Sequence, residues 1–274
     1  MKVLIAADME GISGVTCWDH VNIGHAEYQR FRRLMTADVN AAIEGAVKAG
    51  ASEILVTDGH WNGDNILLEE LDPRAHLNAG TPAPLSMVQG VETGVQAAIF
   101  IGSHARMGTP NAILDHTWSS SRVNNVWLND RLVGEIGLNG AVCGHFGVAV
   151  VLVSGDQSAC AEAREWLEGV ETAAVKHAHS RSSAELLPLP AARALIREGV
   201  FKGIQRVKAG NGPAPLQVSL PVHMKIEFLY SDMADQAALL PGSTRLGGRM
   251  MEFVACDMRE AYICFQAAVN LARR

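Results

Sequence analysis

Two carboxylates follow the first apolar segment of the chain. Lys2–Ala7 (KVLIAA) has the length and composition of a buried strand, and Asp8 and Glu10 come directly after it. Because side chains alternate along an extended chain, the two acids point the same way and reach one point beyond the sheet edge. Like charges held that close repel each other unless a cation lies between them. An Asp at this position also commonly caps a helix. The residues at the ends of the later strands decide between a cation site and a helix cap.

The next two predicted strands end at histidines. A strand over residues 53–57 runs through Asp58 to His60, and a strand over residues 97–102 leads to His104. Parallel strands joined by helices place their carboxyl ends at one edge of the sheet, where α/β proteins bind ligands. A single histidine after a strand is usually only hydrogen-bonded. Three strand ends that carry acids and imidazoles instead favour one shared site.

Further polar residues lie where they could reach the same edge. Glu135 opens a predicted helix that ends at His145, and the helix dipole alone favours an acid there. The helix is mostly apolar and small, however, so a buried Glu135 needs a partner, and a metal ion is a suitable one. Asn139 lies one turn further on the same face. Arg106, Asn139 and the loop residue His116 are candidates for substrate contacts.

The predicted ligands exceed what one structural zinc site requires. Such a site takes four ligands and usually includes thiolates, whereas this set has three carboxylates and two imidazoles. Two ions roughly 3.5–4 Å apart fit better, with a carboxylate bridge, and such a centre holds a hydroxide and polarises a carbonyl or phosphoryl oxygen. The imidazoles favour zinc over magnesium, while manganese, cobalt and iron stay open. Asp8 is the natural bridge in the predicted ligand set: Asp8, Glu10, His60, His104 and Glu135.

The elements that position these residues predict an α/β fold. We expect a mainly parallel sheet with helices on both faces over residues 1–188, which form the catalytic domain with the metal site at the strand ends. Residues 189–274 change character, with a Gly/Pro-rich break and an alternating stretch, and predict a smaller α+β subdomain. That subdomain carries no ligand cluster, so we expect it to shape the site or to support assembly.

Composition excludes several classes of function. The chain has 274 residues, 48% of them hydrophobic, with a formal net charge of −6 and a pI of about 5.9, which argues against a nucleic-acid partner. No apolar run has membrane-spanning length, and the N-terminus enters a strand without a signal pattern. Five cysteines without CxxC spacing agree with a reducing compartment. These features predict a cytoplasmic protein that binds neither membrane nor nucleic acid.

Five sequence blocks in order resemble the signature of a known family. DMEGISG, VTDGH, IGSHAR, a TP…DH loop and GEIGLN are similar to the blocks of the bacterial D-aminopeptidases, which are self-compartmentalising zinc metallopeptidases. The similarity extends through PLSMVQG and LLPGST and spans essentially the whole chain. Five ordered blocks are far more specific than any single motif.

This resemblance implies a zinc-dependent aminopeptidase with two zinc ions per subunit. It implies that Asp8 bridges the ions, with Glu10 and His104 on one ion and the remaining two ligands on the other. It makes His116 the catalytic residue, as nucleophile or general base. The implied reaction removes N-terminal D-amino acids, notably D-alanine, from short peptides. The implied assembly is a ring-shaped homo-oligomer, a homodecamer, with the active sites inside.

Three other classes of function stay open at this point. A dinuclear-metal amidase or phosphoesterase acting on another small substrate would use a similar cluster, although no phosphate cradle is evident. A dinucleotide-binding oxidoreductase suits the α/β pattern but needs GxGxxG after the first strand, where this chain has acids. A metal-binding or assembly protein without activity would keep the ligands and would not require His116.

Overall fold

The computed structural model describes residues 1–273 and contains two β-sheets. Its strands, in chain order, are β1 (Lys2–Ala7), β2 (Glu53–Asp58), β3 (Ala75–Asn78), β4 (Ala97–Ser103), β5 (Val123–Leu128), β6 (Arg131–Leu132), β7 (Ala149–Asp156), β8 (Glu171–Ser180), β9 (Ser183–Leu186), β10 (Val222–Phe228), β11 (Ser243–Arg245) and β12 (Met250–Ala255). Its α-helices are α1 (Trp18–Val21), α2 (Tyr28–Lys48), α3 (Glu135–His145), α4 (Gln157–Trp166), α5 (Leu189–Lys208), α6 (Ser231–Ala237) and α7 (Met258–Leu271).

The larger sheet has the strand order β3-β2-β1-β4-β7-β8-β9. All its neighbours pair in parallel except β8 and β9, which pair antiparallel. In register, Ala7 of β1 lies opposite Asp58 of β2 and Ile101 of β4. The residues that follow these strands therefore emerge at one edge of the sheet. The predicted α/β fold with a mainly parallel sheet is confirmed.

Both faces of the larger sheet are buried, which explains the continuous apolar run of β1. Val3 and Ile5 belong to one apolar cluster, which lies under α2 and α5. Leu4 and Ala6 point the other way into a second cluster, which contains residues of α3, α7 and the smaller sheet. A strand covered on both sides cannot alternate apolar with polar residues. Its polar residues can appear only at its ends, where they are free to bind ligands.

The smaller sheet is antiparallel and has the order β11-β12-β10-β5-β6. Its hairpin of β5 and β6 comes from before residue 188, whereas α5, from after that residue, packs on α2 and the larger sheet. The expected boundary between residues 188 and 189 therefore does not separate the two sheets. The periodic pattern identified the elements but could not tell which distant strand each one pairs with.

Several further details differ from the sequence-based expectation. β8 extends to Ser180 and so includes His177 and His179, a length that the sequence pattern did not indicate. The short strands β3 and β9 were not predicted, because four residues carry too little periodicity. Within residues 1–273, no helix combines the length and the apolar character that crossing a bilayer requires.

Candidate metal centre

The chain turns sharply after β1 and brings its two acids inside the protein. Asp8 and Glu10 are 6% and 2% exposed. The amide of Gly11 donates to the carbonyl of Gly102, at 2.8 Å, and a Cβ on Gly11 would lie 2.0 Å from the Ser103 carbonyl oxygen. Only glycine allows this close approach of the loop to the end of β4. The approach places both acids beside the residues that follow β4.

A fully buried lysine holds the loop that carries Glu10. Lys176 of β8 donates from Nζ to the backbone carbonyls of Glu10, Ile12 and Val15, at 2.6, 3.0 and 2.8 Å. These bonds use all three donors of its ammonium group. Burial lowers the pKa of Lys176 to about 7, since a charged amine is costly to remove from water. Lys176 thus fixes the backbone of the loop that contains Glu10.

The acids contact two histidines across the strand ends. His60 Nδ1 lies 3.3 Å from Asp8 Oδ1 and 3.1 Å from Glu10 Oε2. His104 Nε2 lies 3.4 Å from Asp8 Oδ2 and 3.1 Å from Glu135 Oε1. The two oxygens of Asp8 thus face different histidines. All five predicted ligands come together at the carboxyl edge of the larger sheet.

Ligand atoms in this cluster also form two overlapping groups. Atoms of Asp8, Glu10 and His104 all lie within 4.8 Å of one another, and so do atoms of His104, His116 and Glu135. The shortest acid-to-imidazole contacts, in contrast, pair His60 with Glu10 and His104 with Glu135. The centre is compact enough that His104 can be grouped with either acid.

Each histidine is oriented by a backbone carbonyl on its outer side. His60 donates from Nε2 to Val21 O at 3.0 Å, and His104 donates from Nδ1 to Ala105 O at 3.0 Å. His116 donates from Nδ1 to a backbone carbonyl as well, at 2.8 Å. A ring nitrogen that donates outward leaves the other nitrogen of a neutral imidazole free to bind a metal or accept a proton. His60 Nδ1, His104 Nε2 and His116 Nε2 therefore point into the site and can bind a metal or accept a proton.

His116 lies against His104, at the edge of the acidic cluster. The two rings stack with centroids 3.9 Å apart and an interplanar angle of 11°. His116 Nε2 is 4.0 Å from Glu10 Oε1, and its ring centroid is 5.5 Å from that of Trp18. Burial and the neighbouring His104 lower the pKa of His116. A neutral His116 with a free Nε2 is suited to accept a proton.

The buried charges of the site fit a bound cation. Glu10 Oε2 is buried, and its contact with His60 Nδ1, at 3.1 Å, is not aligned as a hydrogen bond. Burial and the adjacent Glu10 carboxylate raise the pKa of Asp8 to about 7. Although burial acts in the opposite direction, the neighbouring carboxylates raise the pKa values of His60 and His104. With these raised pKa values, binding of a metal ion would release protons from the site.

The cluster opens into a cavity of about 390 Å³. Arg106 and Asn139, the two candidates for substrate contacts, are not among the residues that line it. Asn139 donates to Met87 Sδ and accepts from the Tyr262 hydroxyl, so both ends of its amide are already engaged inside the protein. This engagement suits a supporting role for Asn139, and the substrate contacts of Arg106 and Asn139 stay predictions. The lining includes Asp8, Glu10, His60, His104, His116 and Glu135.

Other strand-end acids have structural tasks. Asp58 accepts hydrogen bonds from the backbone amides of Asn65 and Ile66, and so shapes the loop after His60. Asp156 caps α4 by accepting from the amides of Ser158 and Ala159. An acid at a strand end is therefore not by itself a ligand. What separates Asp8 from these acids is its contact with two imidazoles.

Glu162 is a buried acid that the sequence analysis missed. It lies on α4, and its Oε2 accepts the amide of Arg106 at 2.8 Å, while its Oε1 is buried without a partner among the described residues. Burial raises its pKa to about 7, from an ordinary value of 4.5. Nothing in the sequence distinguishes Glu162 from the exposed Glu165 of the same helix, because only the fold places Glu162 under the loop after His104.

This shift predicts a dependence of stability on pH. Because the folded pKa of Glu162 is raised, the folded protein binds more protons than the unfolded chain between pH 4.5 and about 7. The contribution of Glu162 to the free energy of unfolding is therefore most favourable at low pH and declines as the pH rises. We expect Glu162→Gln to remove this decline and to raise the free energy of unfolding, relative to wild type, by about 3 kcal/mol at pH 8 and by little at pH 4.5.

Urea unfolding of the metal-free proteins across this pH range measures the difference. The exposed Glu168→Gln, just beyond the same helix, serves as the control and should follow wild type. A constant difference between Glu162→Gln and wild type at every pH would contradict the assignment.

Comparisons with known proteins agree with this geometry. A family model for peptidase family M55, described as D-aminopeptidase, matches residues 1–267. The chain is 38% identical to a D-aminopeptidase of Bacillus subtilis (strain 168) over 278 residues, which cover 100% of this chain and 98% of the relative.

A solved structure gives the same result. It is the Zn-dependent D-aminopeptidase DppA from Bacillus subtilis, described as a self-compartmentalizing protease. The two structures superpose with a TM-score of 0.95 at 36% sequence identity, and the match covers 100% of this chain and 98% of the other. The family that the sequence blocks indicated is thereby confirmed. This chain belongs to the D-aminopeptidase family of metallopeptidases, peptidase family M55.

Proposed function

We propose that this enzyme uses two zinc ions per subunit to remove N-terminal D-amino acids, with D-alanine as the type case, from short peptides. The observation that carries the proposal is the buried cluster of three carboxylates and three inward imidazole nitrogens, in which a buried Glu10 oxygen accepts no aligned hydrogen bond. The names of its relatives, which specify zinc and D-aminopeptidase activity, support the metal and the reaction.

The shortest contacts suggest how the ligands divide. His60 and Glu10 would hold one ion and His104 and Glu135 would hold the other, with Asp8 shared between them. This division differs from the one that the family resemblance implied. When bound, zinc supplies Lewis-acid polarisation of the scissile carbonyl and lowers the pKa of water. The ligands' outer hydrogen bonds keep their inner atoms aimed at that position.

His116 carries out the proton transfers in this proposal. Its Nδ1 is held by the Leu114 carbonyl, so its Nε2 faces the cavity with a free lone pair. Nε2 accepts a proton from the attacking nucleophile and then returns it to the leaving amine. The lowered pKa keeps the ring neutral before the reaction, which is the state that a base requires.

We also propose a closed ring of ten copies as the working form. The support comes from DppA, which is described as self-compartmentalizing and matches this chain over its whole length. A monomeric mass by light scattering would contradict this assembly. The five free thiols support a reducing compartment, the cytoplasm, as the place of action, which cell fractionation would test.

The decisive experiment compares D-alanine p-nitroanilide with its L-enantiomer. Metal-stripped protein should be inactive on both, and added zinc should restore hydrolysis of the D-enantiomer with a clear preference over the L form. Restored activity on the L-enantiomer alone would keep the metallopeptidase and overturn the stereochemistry. Inactivity on both compounds with zinc present would favour the alternative, an amidase or phosphoesterase for another small substrate.

A further inference from the structure

The cavity has a second, basic end that the metal centre does not use. Helix α7 presents Gln266 and Asn270, one turn apart, to this end, and Arg273 follows the helix. Arg122 lines the same cavity from the loop before β5. Arg122 is far from the α7 residues in sequence, and its contact with Val269 of α7 brings it beside them. One cavity thus has acids and imidazoles in one part of its lining and two guanidinium groups in another.

Neither guanidinium group has an acidic partner in the part of the chain that the structure describes. Arg122 donates from Nη1 to the carbonyl of Val269 at 3.0 Å, and Arg273 donates from Nη2 to Asn270 Oδ1 at 2.9 Å. No carboxylate of residues 1–273 forms an ion pair with either one. Burial and the charge of Arg273 lower the pKa of Arg122, so the two cations are close enough to repel each other. Two unpaired cations in one cavity favour an anion between them.

We propose that Arg122 and Arg273 bind the C-terminal carboxylate of the peptide substrate. This inference rests on the proposed function, which places the amino end of the peptide at the metal centre. A short peptide carries opposite charges at its two ends, and the cavity offers acids and guanidinium groups in separate parts of its lining. The cavity volume of about 390 Å³ suits a peptide of a few small residues. The basic end therefore selects short peptides with a free carboxyl group.

Arg122 and Arg273 keep further N–H donors after their hydrogen bonds to backbone and amide oxygens. Arg122 also supports the last turn of α7, because Val269 O is one of the carbonyls that a helix end leaves unpaired. That bond uses one of the five N–H donors of a guanidinium group. The remaining donors can pair with a carboxylate in the bidentate manner that arginine favours.

The test compares peptides that differ only at the carboxyl end. D-alanine followed by one, two or three glycines is assayed as the free acid and as the C-terminal amide. The readout is the ratio of kcat/KM for the acid to kcat/KM for the amide. For the wild-type enzyme we expect a ratio of about 10 to 100 at the best peptide length. The difference should come mainly from a higher KM of the amide, because the amide cannot form the charge-assisted hydrogen bonds of a carboxylate with arginine.

Two variants and a matched control complete the design. Arg122→Gln and Arg273→Gln should each lower the ratio toward 1. Arg273 lies beyond α7, so its variant tests the proposal without disturbing the helix end that Arg122 supports. Arg259→Gln removes an exposed charge from the first turn of the same helix, outside the cavity lining, and should keep the wild-type ratio.

The outcomes separate this inference from the proposed function. A wild-type ratio near 1 at every length, or a ratio that both variants leave unchanged, would overturn the carboxylate site while the aminopeptidase stands. Failure of zinc-loaded wild type to cleave any of these peptides or D-alanine p-nitroanilide would overturn the proposed function and this inference together.

Discussion

Replacement of His116 by alanine should lower kcat by about 10²–10⁴-fold while the two zinc ions of the proposed centre stay bound. The expected loss is that of a general acid–base group whose Nε2 faces the reacting position. The stacked His104 and the acid Glu10 keep their own contacts with the rest of the cluster, so the ligand set survives the substitution. The effect should appear in kcat more than in KM, since proton transfer belongs to the transition state.

Zinc content by elemental analysis, measured beside kcat, decides what His116 does. His116→Asn keeps part of the ring volume and separates packing from proton transfer, while the exposed His177→Ala controls for the loss of a histidine. The structure makes the measurement necessary, because atoms of His116, His104 and Glu135 lie within 4.8 Å of one another and could share an ion. Loss of one zinc together with activity would make His116 a ligand.

Asp8→Asn should have an effect of similar size through a different cause. The Asp8 oxygens face His60 and His104 separately, and an amide offers only one oxygen and no negative charge. We expect weakened binding of both ions. Because metal chemistry supplies several kcal/mol of transition-state stabilisation, kcat should fall by about 10³-fold.

Metal titration of the stripped proteins tests this expectation. Glu10→Gln and Glu135→Gln should each weaken one ion, in contrast to Asp8→Asn, which weakens both. The exposed Asp64→Asn, on the loop after His60, is the control and should bind zinc as wild type does. Full occupancy of both positions in Asp8→Asn would refute the bridging role.

Much of the metal centre could be predicted because sheet geometry is regular. Asp8, Glu10, His60 and His104 each follow a strand, and parallel pairing of adjacent strands brings such residues to one edge without knowledge of side-chain packing. Glu135 needed a weaker argument, since an acid at a helix start is ordinary. The structure places Glu135 at the start of the buried helix α3, with its Oε1 3.1 Å from His104 Nε2.

Residues that depend on loops and distant contacts could not be predicted in this way. The role of His116 came from the family resemblance, because its position depends on a loop and on stacking against His104. Arg122 contacts Val269, 147 residues away, and Lys176 contacts Glu10, 166 residues away. No local pattern specifies such contacts. The pairing of β5 with β10, across the expected boundary at residues 188 and 189, was missed for the same reason, since strand partners are chosen by the whole fold.

The order of the ligands along the chain has a consequence for biosynthesis. In the division we propose, His60 and Glu10 belong to the part of the chain that leaves the ribosome first, with β1 and β2, whereas His104 and Glu135 follow with β4 and α3. Domains are synthesised from the N-terminus at about 5–20 residues per second. One half of the proposed centre is therefore translated several seconds before the other. Asp8 belongs to both halves, so its contact with His104 can form only after the second half has been made.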